Sequence, residues 1–294
     1  MIDISRHLQE YEDYLLLKNF SLQTRKLYLK TLRKFLEFCI LRKFELPLSQ
    51  DYARAYILCR IKSQMAWATI NCDYSALRKY FKEVLHYEWS LKKVPRPRQE
   101  KTLRHILSQQ DVVKLIEHAS CYKHQIFLAF IYITGLRLSE ATHITMDDID
   151  SNRLQIRVNK GKGAKDRIVQ IPAVLIDILR AYYIKCRPVH YLFNGRYKGT
   201  VFSAAQWAIR QARSKAKITK KASLHTLRHC YATHHIESGT DLVFLQQQLG
   251  HKHLRTTAQY VHLCMDRYRT IKHPIDQLAI QWIHPIPQQS TSNP

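Results

Sequence analysis

Glycine is missing from the first 134 residues; all seven lie between Gly135 and Gly250. A long glycine-free stretch, with prolines only at 47, 95 and 97, reads as helices joined by short polar turns. Cysteine is scarce as well. Seven are scattered along the chain, an odd number with no CxxC pair, which leaves no cysteine zinc site and predicts free, mostly buried thiols in a reducing cytoplasm. Long apolar runs are absent. The longest, IFLAFIYI at 126–133, is far short of the ~18 residues a membrane span needs. The opening MIDISRHLQEYEDYL lacks the charged and apolar regions of a signal peptide. Acidic residues are few, 23 against 47 Lys and Arg, for a net charge of +24 and a pI near 9.8. With 46% hydrophobic residues beside it, that excess describes a folded basic protein with a polyanionic partner, not a disordered basic arm.

The pattern predicts a mostly α fold with a small β-hairpin, in two domains. Ile4, Leu8, Tyr11 and Leu15 mark a first helical face. Ser21 can cap a second helix in which Tyr28, Leu32, Phe35 and Cys39 recur at helical spacing. The opposite face of that helix carries Arg25, Lys26, Lys30, Arg33 and Lys34, a candidate DNA-binding surface. Helices near 50–62 and 66–86 complete a four-helix module over 1–93. The proline-interrupted, charged segment 94–104 reads as a linker.

Residues 105–273 mix elements. Ser108 can cap a helix over 109–118, and a buried helix near 124–134 stops at Gly135. Leu154, Ile156 and Val158 alternate, as do Val169 and Ile171, so a hairpin is expected with Lys162 at its tip, flanked by Lys160 and Lys165. Further helices are expected near 174–185, 203–215, 224–237 and 241–248. Residues 274–294 read as a tail, either mobile or exchanged between protomers. No internal repeat and no strand–helix alternation of a dinucleotide-binding type occurs.

Six polar residues stand in contexts that expose them: Arg137 in GLRLSE, Lys162 in NKGKGAK, His225 and Arg228 in LHTLRH, His251 in LGHKH and Tyr260 in TTAQYVH. Cleaving a phosphodiester takes fixed cations around the phosphate, an activated nucleophile and a proton source for the departing oxygen. Guanidinium supplies the planar fork that holds two phosphate oxygens. A phenol, with an ordinary pKa near ~10, needs cations or a base beside it to attack at neutral pH. A hairpin-tip lysine can reach into a groove and protonate a leaving oxygen. Taken singly, each has an ordinary explanation: a surface Arg, a solvated turn Lys, one tyrosine among 17. Their joint order does not.

In that order the chain resembles the tyrosine recombinases, or phage integrases, and most closely their small Xer-type members. The family presents an Arg in GLRxSE, a hairpin Lys in GKG, an HxLRH helix, LGH, and a nucleophilic Tyr nine residues after that His. The resemblance implies a helical, SAM-like core-binding domain followed by an α+β catalytic domain. It also implies attack by Tyr260 to leave a 3′-phosphotyrosyl bond, with Glu140 and His229 in support. Neither ATP nor a metal ion, and no other cofactor, is implied. The implied partners are a double-stranded DNA recombination site, three further copies of the chain in a tetramer on DNA, and accessory DNA-bending or directionality factors. A nucleoid-associated place in the cytoplasm, on a mobile genetic element or chromosome, and no membrane, follow from the same resemblance.

Three other readings compete with it. Sixteen histidines raise a zinc protein or metal-dependent nuclease, against which stands the lack of an HExxH motif or cysteine pairs. A DNA-binding protein without chemistry would tolerate the loss of Tyr260. A type IB topoisomerase would share the chemistry but relax a single duplex.

Overall fold

The structure is a computed structural model, which describes residues 2–97, 105–159 and 166–261. It divides into two compact units, Met1–Leu103 and Arg104–Pro294. The first holds α1 (Ile4–Leu17), α2 (Leu22–Leu41), α3 (Gln50–Lys62) and α4 (Trp67–Glu83). Three begin on a side-chain cap. Asp3 accepts from Arg6 N at 3.1 Å, Ser21 from Thr24 N at 3.3 Å and Ser49 from Tyr52 N at 3.4 Å, each satisfying a backbone donor the helix leaves unpaired. The stripe facing inward is the expected one: Tyr11, Leu15, Leu32, Phe35, Cys39, Tyr74, Leu77 and Phe81 are buried. Phe35 sits edge-on to both Tyr56 and Phe81, with ring centroids 5.8 Å apart in each case. Lys26, Lys30, Arg33 and Lys34 are exposed together on the outward side of α2. Arg25 differs: it is half-buried, with its Nε out of water and without a hydrogen-bond partner, because its place on the helix turns it toward the packed side.

With no glycine to use, this unit ends its helices on other residues in the left-handed region. Asn19, Lys43 and Gln64, each just past a helix, have φ of 51°, 55° and 52°. The chain then folds back so that Phe20 N donates to Leu15 O at 3.0 Å and Phe44 N to Cys39 O at 2.9 Å, which satisfies the last carbonyls of α1 and α2.

The second unit packs α5 (Gln109–Glu117), α6 (Tyr122–Thr134), α7 (Leu138–His143), α8 (Ala173–Cys186), α9 (Ala205–Lys215), α10 (Leu224–Glu237), α11 (Leu242–Leu249) and α12 (Leu254–Ala258) with a three-stranded antiparallel sheet. In that sheet β2 (Gln155–Val158) lies between β1 (Ile149–Asp150) and β3 (Arg167–Gln170). The β2–β3 register pairs Ile156 with Val169 and Val158 with Arg167. The apolar alternation buries Ile156, Val158, Val169 and Ile171 in one core with α6, the hydrophobic helix that runs through it. Neither α7 nor β1 is anticipated by the pattern; six and two residues respectively give periodicity too little length to register.

The thiols are less buried than expected. Cys39 and Cys230 are buried, Cys59 and Cys72 are half-buried, and Cys121 and Cys186 are exposed, because the last two sit at helix ends rather than on an inward stripe. No described helix is long and apolar enough to cross a membrane.

Candidate functional site

Gly135 ends α6 with φ 62°. A Cβ there would lie 2.4 Å from the Tyr231 ring, so the turn needs both the left-handed backbone and the missing side chain. The turn delivers Arg137 to the N-cap of α7. Its backbone N donates to Glu140 Oε2 at 2.9 Å, its Nη1 to Glu140 Oε1 at 2.8 Å, and its Nη2 to the Gly250 carbonyl at 3.3 Å. These bonds use only part of the five N–H donors a guanidinium carries, and the side chain remains 21% exposed.

Glu140 is buried and serves two cations at once. Arg167, at the start of β3, donates Nη1 to Oε1 at 2.9 Å and Nη2 to Oε2 at 2.8 Å, a two-point fork, while its Nε donates to Gln248 O at 3.1 Å. Burial alone would raise the Glu140 carboxyl; the forked bonds from Arg167, joined by those from Arg137, hold it down at about 2. It is a permanent anion across the neutral range.

Arg228, on α10, is only 1% exposed. Its Nη1 donates to Gly135 O at 2.5 Å, and its Nη2 to Leu249 O at 2.6 Å and to His251 Nε2 at 3.2 Å. Burial, then the nearby charge of Arg137, lowers its guanidinium to about 10, with Glu140 and Tyr260 opposing. It stays protonated at neutral pH. An arginine cannot accept a hydrogen bond, so His251 Nε2 must be the acceptor; its proton then sits on Nδ1, which donates to Thr257 Oγ1 at 2.9 Å. The loop that carries His251 opens on Gly250, at φ 62°, where a Cβ would meet Arg167 Cδ at 2.9 Å.

Tyr260 follows α12 in a tight turn, its N donating to Thr257 O at 3.0 Å. Only 2% of it is exposed. Its ring stacks at 11° on His251, 6.3 Å between centroids, and its hydroxyl lies 2.8 Å from His229 Nδ1. His229 in turn meets the exposed His225 edge-on at 4.6 Å. Ser223 caps α10 as expected, accepting from Thr226 N at 3.2 Å, which fixes where His225, Arg228 and His229 fall around the helix.

Of the residues singled out from sequence, Arg137 and Glu140 form one directly bonded pair and Arg228, His251, Tyr260 and His229 a second chain of contacts; Arg137 reaches the second through the Gly250 carbonyl beside His251, and His225 lies at the edge. Lys160, Lys162 and Lys165 lie outside the described residues. Arg167 is a site residue that sequence reasoning missed: it sits in a lysine-rich hairpin, and its partner Glu140 is 27 positions away. Beside Glu140 a cavity of about 520 Å³ is lined by Ser139, His143, Thr145, Asn159 and His190. Among the described residues, no group of three or more His, Cys, Asp or Glu side chains is placed to hold a metal ion.

Known proteins are similar to this chain in sequence and fold. A tyrosine recombinase XerA of Pyrococcus furiosus is 33% identical over 267 residues, covering 88% of this chain and 90% of that protein. The crystal structure of a XerA recombinase superposes with a TM-score of 0.52 at 27% identity, over 91% of this chain and 96% of that one. A XerH site-specific recombinase bound to palindromic difH substrate shares the fold, with a TM-score of 0.71 at 22% identity, over 86% and 80% of the two chains. Residues 8–91 match the SAM-like N-terminal domain of phage integrases. Because residues 105–267, which contain every described contact of the site, match the phage integrase family itself, and the relative's likeness runs through both units, the chain belongs to the phage integrase family.

Proposed function

We propose that this protein is a site-specific tyrosine recombinase that cleaves and rejoins DNA strands through a 3′-phosphotyrosyl intermediate. The observation that carries the reading is one chain of contacts: Tyr260 hydroxyl to His229, Tyr260 ring to His251, His251 to Arg228, and Gly250 to Arg137. A phenol with a base on its hydroxyl and two guanidinium groups nearby has what transfer to phosphorus requires.

In the proposed reaction the Tyr260 oxygen bonds to the scissile phosphorus as its proton passes to His229 Nδ1. The P–O5′ bond breaks, and Lys162, outside the described residues, gives a proton to the departing oxygen. Arg137 and Arg228 donate to the two non-bridging oxygens, with His225 as a further donor and His251 holding Arg228 through Nε2. A 5′ hydroxyl of another strand then attacks the phosphotyrosine, releasing Tyr260 and resealing the backbone. The bond energy stays in the protein–DNA link, which is the reason to expect no ATP requirement.

The assignment extends to the domains. Residues 1–93, with Lys26, Lys30, Arg33 and Lys34 on the outward side of α2, would hold the DNA backbone, and 105–273 would carry the chemistry. The expected assembly is a tetramer on two recombination sites, in the cytoplasm, with accessory factors choosing among integration, excision, resolution and inversion.

The test is a nicked suicide substrate that traps the covalent adduct. Wild type should accumulate protein linked to the 3′ end, and Tyr260→Phe should form none while binding the same DNA within about threefold, since one hydroxyl is all that is lost. An adduct formed by Tyr260→Phe would overturn the assignment of the nucleophile.

A further inference from the structure

The Arg137–Glu140 pair does not stand alone, and the residue that completes it belongs to a different element. Arg167 approaches Glu140 with both terminal nitrogens, 2.9 and 2.8 Å from the two carboxylate oxygens. A carboxylate gripped at two points by a planar fork cannot rotate about its own axis. Glu140 in turn holds Arg137 at two points, backbone N and Nη1. The orientation set at Arg167 is therefore passed through one rigid anion to the partly exposed guanidinium of Arg137. Arg167 makes a second connection through Nε to Gln248 O, at the end of α11. Gln248 is buried and returns the contact to the sheet, its Oε1 accepting from Gln170 N at 3.1 Å. Two residues further on, Gly250 gives its carbonyl to Arg137 and leaves no room for a Cβ against Arg167.

From this geometry we infer that Arg167 is a positioning residue for strand cleavage: acting through Glu140 and the Gln248–Gly250 turn, it ties the β2–β3 hairpin to the phosphate-holding arginines. The inference rests on the function proposed above and adds a residue to it. The Arg167 guanidinium is committed at all three nitrogens, Nε to Gln248 and Nη1 and Nη2 to Glu140, so its own contact with DNA is not what the geometry provides for.

The test separates binding from cleavage. Arg167→Gln should keep DNA affinity within about threefold of wild type in a gel-shift titration. Its single-turnover cleavage at saturating protein should fall about 100-fold, the scale at which a displacement of about 1 Å at a reacting centre is felt. Arg167→Lys keeps the charge and most of the volume but loses the fork; it should bind normally and cleave about tenfold slower, and it keeps the test readable should the Gln variant not fold. A double variant, Glu140→Gln with Arg167→Gln, should lose far less than the two single losses multiplied together, because the effect of Arg167 runs mainly through Glu140 and only in part through Gln248.

A pH profile gives a further reading. The charges facing Glu140 are Arg137 at the start of its own helix, Arg167 on β3 and Arg228 on α10, with His143, Asp148 and His190 along the adjoining cavity. Removing Arg167 leaves burial less opposed, so the carboxyl of the Gln variant protonates at higher pH. Its cleavage should decline toward the acid side before that of wild type. Cleavage by Arg167→Gln or Arg167→Lys within twofold of wild type, DNA affinity falling in step with cleavage, additive loss in the double variant, or superposable pH profiles would each overturn the inference. Failure of the wild-type chain to form any adduct would instead remove the underlying function, so the two failures read differently.

Discussion

The two units end some of their helices by different means. In the first, Asn19, Lys43 and Gln64 take the left-handed conformation that closes α1, α2 and α3, although each carries a Cβ. In the second, Arg187 and Lys217 do the same after α8 and α9, but Gly135 and Gly250 close α6 and α11. Backbone freedom alone does not explain the glycines, since the first unit closes helices without any. What sets them apart is proximity: a Cβ at Gly135 would enter the Tyr231 ring, and one at Gly250 would press on Arg167. Both carbonyls are also acceptors for the arginine pair, Gly135 O for Arg228 and Gly250 O for Arg137. The glycines thus mark where backbone is brought up against the site. In the first unit the same turn serves only to end a helix, and L-residues tolerate it at about 1–2 kcal/mol each.

The largest effect should come from putting a side chain where the second unit has no room. Gly135→Ala adds left-handed strain of about 1–2 kcal/mol to an overpacking cost of about 1–3 kcal/mol against Tyr231, roughly 2–5 kcal/mol together. A loss of stability in urea under about 1 kcal/mol would mean that Tyr231 moves aside freely, and the contrast between the units would shrink to preference.

Next comes the buried charge that these turns surround. Glu140 has its carboxyl lowered from 4.5 to about 2, so it contributes stability that is fully present above the unfolded value and is lost as pH falls through the folded one. The window is about 4.5 down to about 2, and the contribution is roughly 3 kcal/mol. Glu140→Gln should be the less stable protein at neutral pH, and the gap should close on acidification across that window. Parallel stability curves for the two proteins down to about pH 2.5 would show that the carboxylate gains nothing from its arginines.

Gly250→Ala acts on the site more than on the fold. The added methyl displaces Arg167 or the turn holding His251, so cleavage should drop about 100-fold while DNA affinity holds. Gly239, also left-handed at φ 80° but with nothing within 4 Å of where a Cβ would stand, provides the control. Gly239→Ala should lose about 1–2 kcal/mol of stability and leave cleavage per bound complex unchanged. Equal loss of cleavage in the two alanine variants would mean that close approach is not what distinguishes Gly250.

What could be read from the sequence follows the same division. In the first unit, apolar residues at helical spacing placed Leu32, Phe35 and Cys39 in the core, and Ser21 marked a helix start, because binary patterning and capping are local. In the second, the order of motifs singled out Arg137, Arg228, His251 and Tyr260. Their local context could not say that His229 would meet the Tyr260 hydroxyl or that Arg167 would share Glu140. Those contacts join residues 27 to 31 positions apart in different elements, and no periodicity spans such a gap. Helix α7 escaped for a related reason: it is six residues long and begins on an arginine instead of a Ser, Thr, Asp or Asn cap.

The smallest predicted effect tests the other side of the comparison. Lys43 is exposed, sits at φ 55° just past α2, and helps close that helix through its backbone, its N donating to Ile40 O at 2.9 Å. Lys43→Gly keeps that bond and removes the Cβ clash of the left-handed backbone, worth about 1–2 kcal/mol. Against this, glycine makes the unfolded chain more flexible, at about 0.5–1 kcal/mol. The difference is a net stabilisation of up to about 1.5 kcal/mol, visible as a rise in the urea midpoint with an unchanged slope. Cleavage should not change, because nothing of the site touches this turn. A loss of stability would mean that the Lys43 side chain contributes more than its strained backbone costs, and that the glycine-free unit is closed by contacts rather than merely tolerant of the strain.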